Sequence, residues 1–154
     1  RGLGDVYKRQ ESSSTWRKRK NDPRTFQIRA ALESEACVLC CRKKIDLKRI
    51  DQILKVSREM IEEGDFESYS SLNQTLHMEL WTAADNDKLK NMLSELWNGL
   101  SRGVLVNEEE YVRKSLKEHE AIIESIRKGD AIECYLRMQE HIENSCENFV
   151  QRYQ

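Results

Sequence analysis

From Asp22 onward, apolar residues recur every three or four positions, which is the spacing of an amphipathic α-helix. Asp22 followed by Pro23 is typical of a helix start, and this first helix is predicted to run to about residue 42 with Phe26, Leu32, Ala36 and Leu39 facing inward. The pattern predicts five further helices: one capped by Asp46, one over residues 66–84, one over 86–102, one ending at Lys128 and one over 131–153. Strand signals are weak. We therefore predict an all-α fold, an antiparallel bundle of six to seven helices.

Two corners in the chain share one short pattern, in which a glycine is followed by an aspartate. These are Gly64-Asp65 and Gly129-Asp130. Glycine readily adopts the left-handed conformation that ends a helix, and aspartate accepts hydrogen bonds from the free amides that begin the next. Each corner therefore predicts a sharp turn between antiparallel neighbours.

Residues 1–22 lack the apolar period of the rest of the chain. They contain the linker-like Ser12-Ser13-Ser14-Thr15 and the basic run Arg17-Lys18-Arg19-Lys20. We interpret 1–22 as a linker or non-native segment and 23–154 as the folded domain. The basic run fits a solvated linker, with phosphate contact beside an upstream DNA-binding module as the alternative.

Composition narrows the class of protein. The net charge of −1 over 154 residues argues against polyanion binding by the whole chain. No apolar run approaches the roughly 18–20 residues of a membrane span, and no signal peptide opens the chain, so we expect a soluble, cytoplasmic protein without membrane contact. The five cysteines are interpreted as small packing residues rather than as disulfide partners or metal ligands: Cys37, Cys40, Cys41, Cys134 and Cys146.

The three histidines of the chain, His77, His119 and His141, each interrupt an apolar helical stripe. His119 lies ten residues before Gly129 and His141 eleven residues after Asp130, so an antiparallel hairpin brings them to one level. Alternating helix directions place His77 within about one helical turn of that level. We therefore predict that three imidazoles converge on one metal ion. The alternative is three unrelated core histidines.

Asn73 precedes His77 by four residues and so lies on the same helix face, one turn earlier. Its amide oxygen could complete the ligand set. Motifs of metal enzymes are lacking, because neither His-Glu-x-x-His nor Glu-x-x-His occurs at these histidines. Glu118 and Glu120 flank His119, and helical geometry predicts that both turn away from its face. We expect no enzyme, and keep a mononuclear metal hydrolase as the less favoured alternative.

An ordered series of short motifs resembles one known family over nearly all of residues 24–153. The motifs are Ile28-Arg29-Ala30-Ala31-Leu32-Glu33, Leu39-Cys40-Cys41, Gly64-Asp65, Asn73-x-x-x-His77, Asp85-Asn86-Asp87-Lys88-Leu89, Glu118-His119-x-x-Ile122, Gly129-Asp130 and His141-Ile142. In this order they resemble the C-terminal ligand-sensing FCD domain of FadR-type GntR transcription regulators. The family commonly has aspartate where this chain has Asn73.

The resemblance implies a divalent metal, zinc or nickel, held by Asn73, His77, His119 and His141 beside the site of a small carboxylate effector. Arg29 and Arg102 are candidates to bind that carboxylate, with a surface ion pair as the alternative for each. The resemblance also implies a homodimer that binds DNA only through an upstream winged-helix domain, which we expect to be absent from these 154 residues. A metal-free helical dimerisation module is the alternative function.

Overall fold

The computed structural model describes residues 22–98 and 109–153, and it is all-helical over these ranges, as the apolar spacing predicts. Six helices lie there: α1 (Pro23–Lys43), α2 (Lys48–Glu62), α3 (Phe66–Ala83), α4 (Asp87–Asn98), α5 (Glu109–Lys128) and α6 (Ala131–Tyr153). The predicted end of the fourth helix near residue 102 and the interpretation of the first 21 residues fall outside the described part of the chain.

Side-chain carboxylates begin the first two helices. The Asp22 carboxylate accepts from the amide of Arg24 (2.9 Å) at the start of α1. Asp46 accepts from the amide of Lys48 (3.0 Å), one residue ahead of the N-cap of α2. These contacts satisfy amides that have no partner inside a helix. The predicted start of α1 is confirmed, whereas α2 begins one residue later than predicted, with Leu47 rather than Asp46 as its N-cap.

The two Gly-Asp corners have the same hydrogen-bond pattern. Gly64 (φ 74°) and Gly129 (φ 73°) both adopt the left-handed conformation. The amide of Asp65 donates to the carbonyl of Met60 (2.8 Å), and the amide of Asp130 donates to that of Ser125 (3.0 Å). Both glycines therefore end a helix in the Schellman manner, and the predicted turns are confirmed.

We expect Gly129→Ala to lower the free energy of unfolding by about 1–2 kcal/mol, because only glycine adopts this φ without a steric cost. An added Cβ would meet nothing within 4 Å, so the loss is conformational rather than a packing clash. Chemical denaturation measures it. Gly129→Asn is the matched control and should lose less, since asparagine tolerates the left-handed region; equal losses would contradict this explanation.

Helix α1 lies at the centre of the bundle and contacts α3, α4, α5 and α6. It runs antiparallel to α6, so Phe26 near its start packs on Phe149 near the end of α6, with 5.6 Å between ring centroids. Some of its polar side chains are therefore buried, among them Arg29 and Glu33, whereas Glu35 is exposed. Around it, α2 pairs with α3, and α5 pairs with α6.

None of the helices in residues 22–98 and 109–153 is long and apolar enough to span a membrane.

Candidate metal centre

The three histidines converge in the interior, although they lie on α3, α5 and α6. Their ring centroids are 4.5 Å apart for His119 and His141, 5.3 Å for His77 and His119, and 5.5 Å for His77 and His141. All three side chains are buried, and their candidate ligand atoms lie within 4.8 Å of one another. The predicted convergence is confirmed.

The spacing of the ring nitrogens suits a shared ion. Nε2 of His119 and Nε2 of His141 are 3.1 Å apart. Two nitrogens bound to one zinc ion at about 2.0–2.1 Å are separated by roughly 3.0–3.4 Å. The two Nε2 atoms thus lie at hydrogen-bonding distance from each other, with the donor set by the tautomers of the rings.

Carboxylates fix the tautomers of two of the three rings. Nδ1–H of His77 donates to Glu33, with 3.1 Å to each carboxylate oxygen. Nδ1–H of His141 donates to Glu118 at 3.2 Å. Each ring therefore keeps its lone pair on Nε2, the arrangement in which carboxylates orient metal-binding histidines.

Two buried polar atoms of the predicted ligand set have no hydrogen-bond partner. In the described part of the chain, three buried side-chain atoms lack a partner: Nε2 of His77, Oδ1 of Asn73 and Oγ of Ser34. A buried polar atom without a partner costs about 1–3 kcal/mol. A cation bound by His77 and Asn73 would satisfy both atoms, so these donors fit a metal ion.

Burial keeps two of the imidazoles neutral. It lowers the pKa of His119 well below 6.5, and the neighbouring His141, His77 and Arg29 lower it further. Burial also lowers the pKa of His77, although Glu33 opposes that shift. Both rings are therefore unprotonated at neutral pH, which is the form that binds metals.

Glu33 on α1 is a central residue of this centre, although no role was predicted for it from the sequence. Its carboxylate is fully buried and accepts from Nδ1 of His77, from Nε1 of Trp81 (2.8 Å) and from Nε of Arg29 (3.3 Å). Burial alone would raise the pKa of Glu33, but these three partners outweigh it and lower that pKa from 4.5 to about 2. Glu33 is therefore an ionised carboxylate inside the bundle.

A signal for Glu33 was present in the sequence. It follows Phe26 by seven residues and Ala30 by three, and it precedes Cys37 by four, so it interrupts the inward stripe of its helix as each histidine does. A carboxylate at such a position needs a buried partner, and Arg29, one turn earlier, supplies it.

Arg29 is buried beside the histidines and is not part of a surface ion pair. Its guanidinium donates to Glu33 and lies over the ring of Trp97, with 4.2 Å from Cζ to the ring centroid. Trp97 in turn packs on His77, with centroids 5.2 Å apart. The surface alternative is therefore wrong for Arg29. Arg102, the second candidate, lies outside the described residues.

Glu118 contacts a histidine of the neighbouring helix. It was predicted to turn away from the face of His119, and its carboxylate accepts instead from Nδ1 of His141 and from Nδ2 of Asn144. Helix α6 lies alongside α5 and brings His141 to Glu118. Glu120 does point outward and pairs with Arg58 (3.0 Å). Since Glu118 is occupied by two donors, it orients His141 rather than serving as a free base.

Comparison with known proteins gives one match. A family model described as FCD domain matches residues 24–144. No curated protein and no solved structure matches the chain.

Proposed function

Because the chain belongs to the FCD domain family, the C-terminal domain of FadR-type GntR regulators, we propose that it senses a small carboxylate through a bound divalent metal. The proposed ligands are Asn73, His77, His119 and His141, and zinc or nickel is the proposed ion. The sensing domain comprises residues 23–154.

The observation that carries this proposal is the buried group of imidazoles whose tautomers leave nitrogen lone pairs on one side. His77 and His141 each have Nδ1 engaged with a carboxylate, and Nε2 of His77 has no partner among the described residues. Unrelated core histidines would be expected to have both ring nitrogens satisfied. A divalent ion supplies a positive charge that attracts a carboxylate oxygen.

The charges around the centre support an anionic effector. His77, His119 and Asn73 are neutral donors, and the Arg29 charge is balanced by Glu33. A divalent ion held by neutral donors retains its charge, so an anion binds more favourably than at a shell that contains aspartate. We propose that Arg29, whose charge acts on both His77 and His119, also contacts the effector.

We further propose that the domain dimerises in a cytoplasmic regulator and that a winged-helix domain upstream of it binds DNA. Effector binding alters DNA binding only if the effector prefers one of two helix arrangements. Since α1 follows the upstream segment and carries Arg29 and Glu33, it is the element expected to move.

A thermal-shift series tests the effector proposal. Zinc-loaded protein without a histidine tag is mixed with acetate, lactate or succinate, and the same protein without zinc is the parallel sample. We expect an acid to raise Tm only in the zinc-loaded protein. The neutral amide of the same acid is the matched control and should have no effect. If no acid raises Tm, the effector proposal is contradicted and zinc binding is left standing.

An Asn73→Asp variant sharpens this test. The added carboxylate cancels one positive charge at the ion, so we expect tighter zinc binding and a smaller Tm shift with the same acid. Gln74→Ala, next to it on α3, is the control and should leave both properties unchanged. An acid shift that is equal in Asn73→Asp and the wild type would place the acid away from the ion.

We expect Glu118→Gln to weaken zinc binding about 10–100-fold, because loss of the carboxylate that orients a metal-binding histidine has this effect. Competition with a chromophoric chelator measures the affinity. Glu120→Gln is the matched control, since Glu120 lies two residues away and pairs with Arg58 on the surface. Equal affinities of Glu118→Gln and the wild type would show that Glu118 does not position His141 for a metal.

A further inference from the structure

A pair of hydroxyl groups is buried between α3 and α5, on the helix faces that carry His77 and His119. The hydroxyl of Tyr69 donates to Oγ of Ser115 at 2.8 Å, and each of these residues is only 3% exposed. Burial raises the pKa of Tyr69, so its hydroxyl stays protonated at neutral pH. Two O–H groups thus meet inside the bundle through one hydrogen bond.

One proton of this pair has no acceptor among residues 22–98 and 109–153. Two hydroxyls joined by one hydrogen bond leave one O–H unused, whichever of them donates. Ser57 and Ser125, which are buried as well, each donate to the carbonyl four residues earlier. Ser115 instead bonds across to α3. Because a buried O–H without an acceptor is unfavourable, the pair is suited to an acceptor oxygen of a bound molecule.

The pair and the histidines lie on the same two rows of side chains. On α3, Tyr69, Asn73 and His77 are spaced by four residues and follow one helix face. On α5, Ser115 precedes His119 by four residues and shares its face. The rows meet at the hydroxyls and again at His77 and His119, whose ring centroids are 5.3 Å apart. Between these two contacts lies Asn73, which is partly exposed and has a buried Oδ1 without a partner. A molecule that enters beside Asn73 therefore lies between the imidazoles and the hydroxyls.

We propose that the Tyr69–Ser115 pair binds a second oxygen of the effector, so that the effector is an acid with a carbonyl or a second carboxylate on its fourth carbon. This inference rests on the proposed function, in which the first carboxylate binds at the metal beside Arg29. The hydroxyls lie one helical turn from the His119 imidazole, a separation of about 5–6 Å between side chains. In an extended acid, an oxygen on the fourth carbon is roughly 6 Å from a carboxylate oxygen. Acetate is too short to contact both places.

Calorimetric titration of the zinc-loaded protein with two acids of the same size and charge tests the proposal. The first, 4-oxopentanoate, has a carbonyl on its fourth carbon, and the second, 4-methylpentanoate, has a methyl group in place of that oxygen. We expect 4-oxopentanoate to bind about tenfold more tightly, because the methyl group would leave the O–H buried without an acceptor. Acetate is the reference for binding by the carboxylate alone.

Substitution of the hydroxyls completes the test. In the double variant Tyr69→Phe with Ser115→Ala neither O–H remains, and we expect the two acids to bind with equal affinity. Both substitutions are needed, since either hydroxyl alone keeps a proton to donate. Ser125→Ala is the matched control on the same helix, because Ser125 is buried and donates only to its own helix. This control should retain the tenfold preference.

The outcomes separate this inference from the proposed function. Equal affinity of the wild type for the two acids, or tighter binding of 4-methylpentanoate, would overturn the inference and leave acid sensing standing. A preference that persists in the double variant, or binding of acetate alone, would do the same. If none of the three acids binds, the proposed function is contradicted and the inference falls with it. The comparison on the wild type decides even if the double variant does not fold.

Discussion

Glu33→Gln is expected to lower the free energy of unfolding by about 3–5 kcal/mol, because it removes one charge of a fully buried ion pair and leaves Arg29 uncompensated. The amide nearly preserves the volume of the side chain, so the loss reports charge rather than a cavity. Chemical denaturation of the metal-free protein measures it, which separates this effect from metal binding.

Two companion variants test the explanation. Glu35→Gln, on the exposed side of the same helix, should change stability by no more than about 0.5 kcal/mol. Adding Arg29→Met to Glu33→Gln should recover much of the loss, since it removes the unpaired guanidinium while the new amide oxygen can still accept from His77 and Trp81. If the double variant is as unstable as Glu33→Gln, the loss does not come from the unpaired guanidinium.

The same carboxylate gives stability a defined pH dependence. The pKa of Glu33 is lower in the folded protein than its ordinary 4.5, so its contribution is complete above 4.5 and is lost as pH falls toward about 2. As the pH falls, His77 and His119 lower the stability first. Their pKa values are lower in the folded protein, so below about pH 6.5 the unfolded chain binds protons that the folded chain does not. In Glu33→Gln, the loss of stability between pH 4.5 and about 2 should be absent, while the loss that begins below about pH 6.5 should remain.

Removal of metal is the second large effect. At a free zinc concentration about 1,000 times Kd, binding to the folded state alone adds about 4 kcal/mol, which corresponds to a Tm increase of roughly 8–16 °C in a domain of this size. We therefore expect a chelator to lower Tm by that amount, and zinc to restore it. Differential scanning calorimetry measures both steps, and elemental analysis should find zinc near one ion per chain.

His119→Gln should abolish the zinc-dependent part of Tm, because His119 supplies one of the three imidazoles. Magnesium at the same concentration is the matched ion and should have little effect on wild type, since it prefers oxygen ligands and an octahedral shell. An undiminished zinc shift in His119→Gln would place the zinc somewhere other than among these histidines.

The fold and the meeting of the histidines could be predicted from sequence because both follow from periodicity. Helix rise and the Gly129 corner fix the level of His119 and His141, and alternating helices bring His77 beside them. The carboxylates behind the imidazoles could not be found in this way. Whether Glu33 meets His77, or Glu118 meets His141, depends on which faces of non-consecutive helices pack together, and a single sequence gives no lateral order for a bundle. The burial of Arg29 likewise depends on which faces of non-consecutive helices pack together.

The position of α1 has a consequence for how a signal would leave the domain. A domain upstream of Asp22 would join the chain at the start of α1, the helix at the centre of the bundle. Asp22 and Arg29 are about two helical turns apart, or roughly 10 Å along the axis of α1. Between Pro23 and Arg29 the chain is continuously helical. A small rotation of α1 would therefore convert an ångström-scale change among the imidazoles into a change in the orientation of the segment attached to its N-terminal end.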